Sequence, residues 1–125
     1  MPAAAKNGDS VKAIDVHEVY VGDSTQMLRH PFRGQLIEGL SSNVLIQDQP
    51  AATLGSIAKN VHVARGNGFV KTPENNGSIT SGSSSVFING KAAARNGDTV
   101  ETCDDIKQEN SNGKVIASGS VLIGD

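Results

Sequence analysis

Large rings are nearly missing from this chain: it holds no Trp, one Tyr and three Phe in 125 residues, so aromatics cannot supply most of a core. A single Cys excludes an intrachain disulfide, and with it the usual staple of small secreted domains. Nowhere do 18 apolar residues run together, and residues 1–9 have no apolar h-region, which predicts neither a membrane span nor a secretory signal peptide. Neither sign of charge dominates, with 11 Lys and Arg against 13 Asp and Glu. That balance argues against a disordered polyelectrolyte, and the scattered cations against a nucleic-acid reader. What the chain has in quantity is turn-formers, with 14 Gly and many Ser and Asn. At this length they fit one small, turn-rich domain over 1–125.

The segments Ala3-Ala4-Ala5-Lys6-Asn7-Gly8-Asp9, Pro50-Ala51-Ala52-Thr53-Leu54-Gly55-Ser56 and Ala92-Ala93-Ala94-Arg95-Asn96-Gly97-Asp98 align without gaps. They divide the chain into three repeats, about 2–49, 50–91 and 92–125. A second block follows each: Gly34 to Gly39 leading to Val44-Leu45-Ile46, Gly77 to Gly82 leading to Val86-Phe87-Ile88, and Gly113 to Gly119 leading to Val121-Leu122-Ile123. Each second block reads as a hairpin of two short strands about a Gly-centred turn. Asn89-Gly90 is a two-residue turn signal. Residues 9–21 alternate as a strand does, and no long stretch keeps helical spacing. The fold expected is therefore all-β, with residues 98–112 a polar loop carrying one helical turn.

The three His and the one Cys have repeat addresses. His17 lies nine residues after Gly8, His62 seven after Gly55 and Cys103 six after Gly97, so each repeat carries one borderline or soft metal ligand. Pseudo-threefold packing would bring the three together, and His30, outside that register, supplies a fourth. Three imidazoles and a thiolate suit tetrahedral Zn²⁺, and the thiolate favours zinc over iron. Taken singly, a buried Cys is a small hydrophobe and a strand His a hydrogen-bonded bystander. The shared register is what favours a common site.

These residues resemble the PAAR-repeat proteins, named for a Pro-Ala-Ala-Arg motif that recurs before Gly-Asp. Pro50-Ala51-Ala52 keeps the first three letters but has Thr53 for Arg, Ala93-Ala94-Arg95-Asn96-Gly97-Asp98 keeps all but the Pro, and Ala4-Ala5-Lys6 has Lys for Arg. The pattern from Ile79 to Lys91 is similar to the family's hairpin. The resemblance implies a conical domain with zinc near its apex, held by three His and one Cys that map onto His17, His30, His62 and Cys103. It also implies a cap on the trimeric β-helical spike of a contractile injection machine (type VI secretion, a phage-tail-like particle or a phage tail), piercing a target cell envelope. Such a protein is made in the bacterial cytoplasm and delivered at the spike tip. Its partners would be one homotrimeric spike per monomer and, transiently, the target membrane, with no nucleic acid. Repeats filling residues 3–123 predict no fused effector domain, so any effector cargo would attach non-covalently. The insertion at 18–31 reads as a variable surface loop, or else as a docking loop for such cargo.

Val44, Ile46, Val86, Ile88, Val121 and Ile123 are candidates for the base that faces the spike, and equally for the core. The Ser81-Gly82-Ser83-Ser84-Ser85 run is a repeat turn without a placed base, so no catalytic residue is assigned. Two other classes remain open. One is a small zinc enzyme with His17, His62 and Cys103 as ligands and water in fourth place; the other is a metal-free β-repeat adhesin or binding module.

Overall fold

A computed structural model describes residues 1–61, 63–102 and 113–124. Among the described residues there is no helix, and the strands are β1 (Ser10–Val21), β2 (Ser24–Glu38), β3 (Leu45–Ile46), β4 (Gln49–Pro50), β5 (Ile57–Lys59), β6 (Asn76–Ile79), β7 (Phe87–Ile88), β8 (Lys91–Ala92), β9 (Thr99–Glu101) and β10 (Gly113–Ile116). Six of them close an antiparallel barrel in the order β1-β10-β9-β6-β5-β2, with β2 paired back to β1. Closure leaves no sheet edge in the barrel, so every barrel strand has two hydrogen-bonded neighbours. The period-two pattern of β1 explains its place there. Val11, Ala13, Asp15, His17 and Val19 are buried while Lys12, Ile14 and Tyr20 face solvent.

The three Ala-rich segments meet below the barrel in a cycle of identical bonds. The Ala5 N–H donates to the Ala94 carbonyl at 2.9 Å, Ala94 to Ala52 at 3.1 Å, and Ala52 to Ala5 at 3.0 Å. A second cycle runs from Asn7 to Pro50, Leu54 to Ala92 and Asn96 to Ala3. Alanine is required because three backbones converge; Ala5, Ala52 and Ala94 have no exposed surface, and a longer side chain would force them apart. The polar end of each segment closes a turn. Asp98 accepts the Arg95 N–H at 2.6 Å and pairs with the guanidinium at 2.9 Å, and Asp9 does the same for Lys6 at 3.0 and 3.2 Å. Where the middle segment has Ser56, its hydroxyl accepts the Thr53 N–H at 2.9 Å. The departures from the motif are thus accommodated by one conserved hydrogen bond to the turn.

Two apolar layers result. The barrel layer gathers Val11, Phe32, Leu36, Ile79, Val100 and Val115 with alanines. Gly34, Gly77 and Gly113 leave it room: a Cβ on Gly34 would sit 2.9 Å from the Phe32 ring and 2.8 Å from the Lys59 carbonyl. Below the alanine cycle lies a second layer, Ile46, Ile88 and Ile123 on Ala4, Ala51 and Ala93, flanked by Val44 and Val86.

Three expectations change. The second blocks are not hairpins: β6 pairs with β5 and β9, while β7 pairs with β8. Barrel closure uses both edges of β6, so Phe87-Ile88 must pair onward across Asn89-Gly90, whose φ values of 53° and 80° fit the mirror-image turn of a two-residue hairpin. Gln47-Asp48, at 50° and 66°, makes the same turn between β3 and β4 without a glycine. The insertion at 18–31 is not a loop but a continuous β1–β2 ribbon, in register from Val21↔Ser24 downwards. Of the expected loop at 98–112, Thr99–Glu101 is strand β9, and 103–112 lies outside the described residues.

Candidate functional site

The β1–β2 ribbon outgrows the barrel. β10 meets β1 only from Ser10 to Lys12, and β5 meets β2 only from Gln35 to Glu38, whereas β1–β2 pairing continues to Val21. His17 and His30 sit on the inner face of that extension. Six residues separate His17 from Val11 in the barrel core, about 20 Å of strand, so the pair occupies the end opposite the alanine cycle. The β5–β6 connection covers this ribbon: the Tyr20 N–H donates to the Gly68 carbonyl at 2.9 Å, the Val70 N–H to Glu18 at 3.0 Å, and Val19 bridges to Phe69.

Both imidazoles are buried, at 0% and 1% exposure. Their ring centroids are 5.5 Å apart at 70°, and Phe69 packs on both, 5.5 Å from His17 and 5.2 Å from His30. Hydrogen bonds fix the tautomer of His30. Its Nδ1 lies 2.9 Å from the Leu28 carbonyl, which only accepts, and its Nε2 lies 3.2 Å from the Arg65 N–H, which only donates. The ring is therefore neutral, with Nδ1 protonated and the Nε2 lone pair accepting the Arg65 N–H, so an ion bound at Nε2 would have to displace that hydrogen bond. Two imidazoles on one tetrahedral ion, with Zn–N of about 2.0–2.1 Å, place their centroids about 5 Å apart. The observed separation fits that arrangement.

His62 and Cys103 lie outside the described residues, so of the four predicted ligands the structure brings together two. Their chain neighbours are described. Val61 and Val63 line a cavity of about 230 Å³ together with His30, Pro31, Arg33 and Asn60. Thr102 is buried, and its hydroxyl donates to Asp15 Oδ1. Asp15 is itself fully buried, directly across the ribbon from His30. Among the described residues no three His, Cys, Asp or Glu side chains converge to hold a metal. Sequence reasoning missed Phe69, Asp15 and Thr102. The only signal for Asp15 was its place in the alternation, between Ala13 and His17 on the inward face.

At the opposite end the residues proposed for a base separate by strand alternation. Ile46, Ile88 and Ile123 point inward and are buried, Val44 and Val86 are half-buried against them, and Val121 is exposed. Facing outward between them are Leu45, Phe87 and Leu122, at 61%, 61% and 52% exposure. These three occupy equivalent places, paired with Pro50, Ala92 and Ala3, the first residues of the three Ala-rich segments.

Comparison with known families matches residues 70–125 to the PAAR motif. No curated protein matches the chain. The matched span holds the complete Ala-Ala-Arg-Asn-Gly-Asp segment, the β7–β8 hairpin and Leu122.

Proposed function

From the match of residues 70–125 to the PAAR motif, we propose that this chain is a PAAR-repeat protein and that it caps the trimeric β-helical spike of a contractile injection machine. The observation that carries this reading is the cyclic arrangement of the three Ala-rich segments, each paired at its first residue with one large exposed apolar residue: Leu45, Phe87 and Leu122. A trimeric β-helix ends in three exposed strand edges and an open apolar core, which aggregate unless covered. One chain with three pseudo-equivalent repeats matches that end in symmetry and in chemistry. The inward isoleucines then support the docking face from behind.

The opposite end is read as the point that meets the target envelope. The inner face of the ribbon there carries two buried imidazoles beside Val19, with Phe69 packed on both rings. His17, His30, His62 and Cys103 would hold one Zn²⁺, pinning the ribbon to the β5–β6 and β9–β10 connections. The ion supplies structural cross-links; structural zinc is worth about 10–16 kcal/mol in small zinc-finger peptides. With four protein ligands no position remains for an activated water, so the reading assigns stiffness and no catalysis.

The test is co-elution of the chain with a trimeric β-helical spike protein of a contractile injection machine from the same source. A complex with the full trimer, lost when the terminal β-helical turns of the spike are removed, is the expected result. Failure to bind the full trimer, or binding that survives the truncation, would overturn the cap.

A further inference from the structure

Lys12 is the centre of a row of cations on the outer face of the barrel. It pairs with Arg33 across β1–β2 and with Lys114 across β1–β10, and all three side chains are exposed. Neighbouring strands lie about 4.8 Å apart, so the row spans about 10 Å. Like charges set directly opposite one another weaken a sheet, and this row stands in a chain whose net charge is −2. A bound anion would relieve that repulsion and stabilise the strands that carry it.

Apolar residues share the face. Side chains two positions apart along a strand point the same way, which sets the cross-strand pair Ile14–Pro31 beside Lys12–Arg33 and the pair Val16–Arg29 beyond it. Ile116 follows Lys114 on β10 in the same manner and is exposed, as Ile14 is. The next residue on this face of β1, Glu18, accepts the Thr25 hydroxyl at 3.0 Å, so the cationic stretch ends at Arg29. Lys12, Ile14, Pro31 and Arg33 line a surface cavity of about 250 Å³ together with Ala13 and Phe32. Two cations beside aliphatic carbon match a ligand with an anionic head and apolar tails. Lys and Arg stems lie along such apolar surface while their charged ends reach the head. The cores of protein interfaces are depleted in Lys and enriched in aromatic rings, whereas this face is centred on Lys12 with Lys114 beside it.

We propose that this face binds the surface of a membrane containing anionic phospholipid, with a headgroup phosphate between Lys12 and Arg33 and with Ile14 and Pro31 at the acyl boundary. Lys114 and Arg29 extend the positive surface on either side. The site is on the flank of the barrel, and it rests neither on the cap nor on the zinc reading, because the chain alone suffices to show it.

Co-sedimentation tests it with vesicles of phosphatidylcholine alone and vesicles of equal parts phosphatidylcholine and phosphatidylglycerol. The proteins are the wild type, Lys12→Glu and the double variant Lys12→Gln/Arg33→Gln. The wild type is expected to bind the phosphatidylglycerol vesicles at about 0.1 M salt, to release them at about 1 M and to leave pure phosphatidylcholine unbound. Each Lys or Arg near an anionic surface strengthens partitioning about fivefold, so the double variant should bind about 25-fold more weakly. Lys12→Glu should lose vesicle binding while gaining stability in urea, a combination that misfolding does not produce. If Lys12→Glu fails to fold, the double variant decides. Equal binding to both kinds of vesicle, wild-type binding by the variants, or no vesicle binding by the wild type would overturn the inference. Binding to poly-L-glutamate without binding to vesicles would also overturn it, and would assign the face to an acidic protein.

Discussion

Replacing Phe87 with Ser tests the docking face where its contribution is largest. The side chain is 61% exposed and lies between Asn89-Gly90, whose turn it does not form, and Val86, which packs inward. If a ring of about 200 Å² loses its exposed share on docking, about 120 Å² leaves water, worth about 3 kcal/mol at roughly 25 cal/mol per Å². That corresponds to a rise in Kd of about 150-fold. Because little of this surface is buried in the free protein, unfolding stability should change by no more than about 0.5 kcal/mol. Titration calorimetry of Phe87→Ser against the spike trimer, with urea unfolding of the free variant, separates the two. An unchanged Kd with native stability would refute the assignment of this face. So would a large stability loss, because it would make Phe87 part of the core.

Other consequences concern the barrel and the metal. Gly77→Ala would place a Cβ 3.0–3.2 Å from side-chain atoms of Val100, Thr102 and Phe32, and overpacking of that kind costs about 1–3 kcal/mol; urea unfolding should show that loss. Lys12 lies directly between Arg33 and Lys114 across three strands, a row of like charges, so Lys12→Glu should raise stability by about 0.2–1 kcal/mol at low salt and by less at 1 M salt. Elemental analysis of untagged protein should find close to one zinc per chain, and Cys103→Ser should lose both the metal and the thermal stability it brings. Absence of zinc in the wild type would leave the barrel intact and remove the pinned tip.

The sequence made some of this legible, for physical reasons that differ from residue to residue. The Ala-rich segments were visible because converging backbones tolerate only small side chains, and Asn89-Gly90 because positive φ at two successive positions selects those residues. Gln47-Asp48 adopts the same turn with no glycine to announce it. Strand pairing was misread at Ile79, since period-two patterning reports which face is buried and not which neighbour supplies the hydrogen bonds. For the same reason Val44-Leu45-Ile46 could be recognised as apolar, yet only the structure separates outward Leu45 from inward Ile46. His30 lay outside the repeat register, and its place beside His17 follows from the β1–β2 ribbon formed by the segment at 18–31 that reads as an inserted loop. Asp15 and Thr102 are joined across 87 residues, a long-range contact that no local pattern encodes.

The capping claim is tested most directly by the mass of the complex between this chain and its spike, measured by multi-angle light scattering or native mass spectrometry. Three pseudo-equivalent repeats closing one threefold end require one chain per three spike subunits. Three chains per trimer would mean that each subunit binds a copy independently and that the repeat symmetry plays no part in docking.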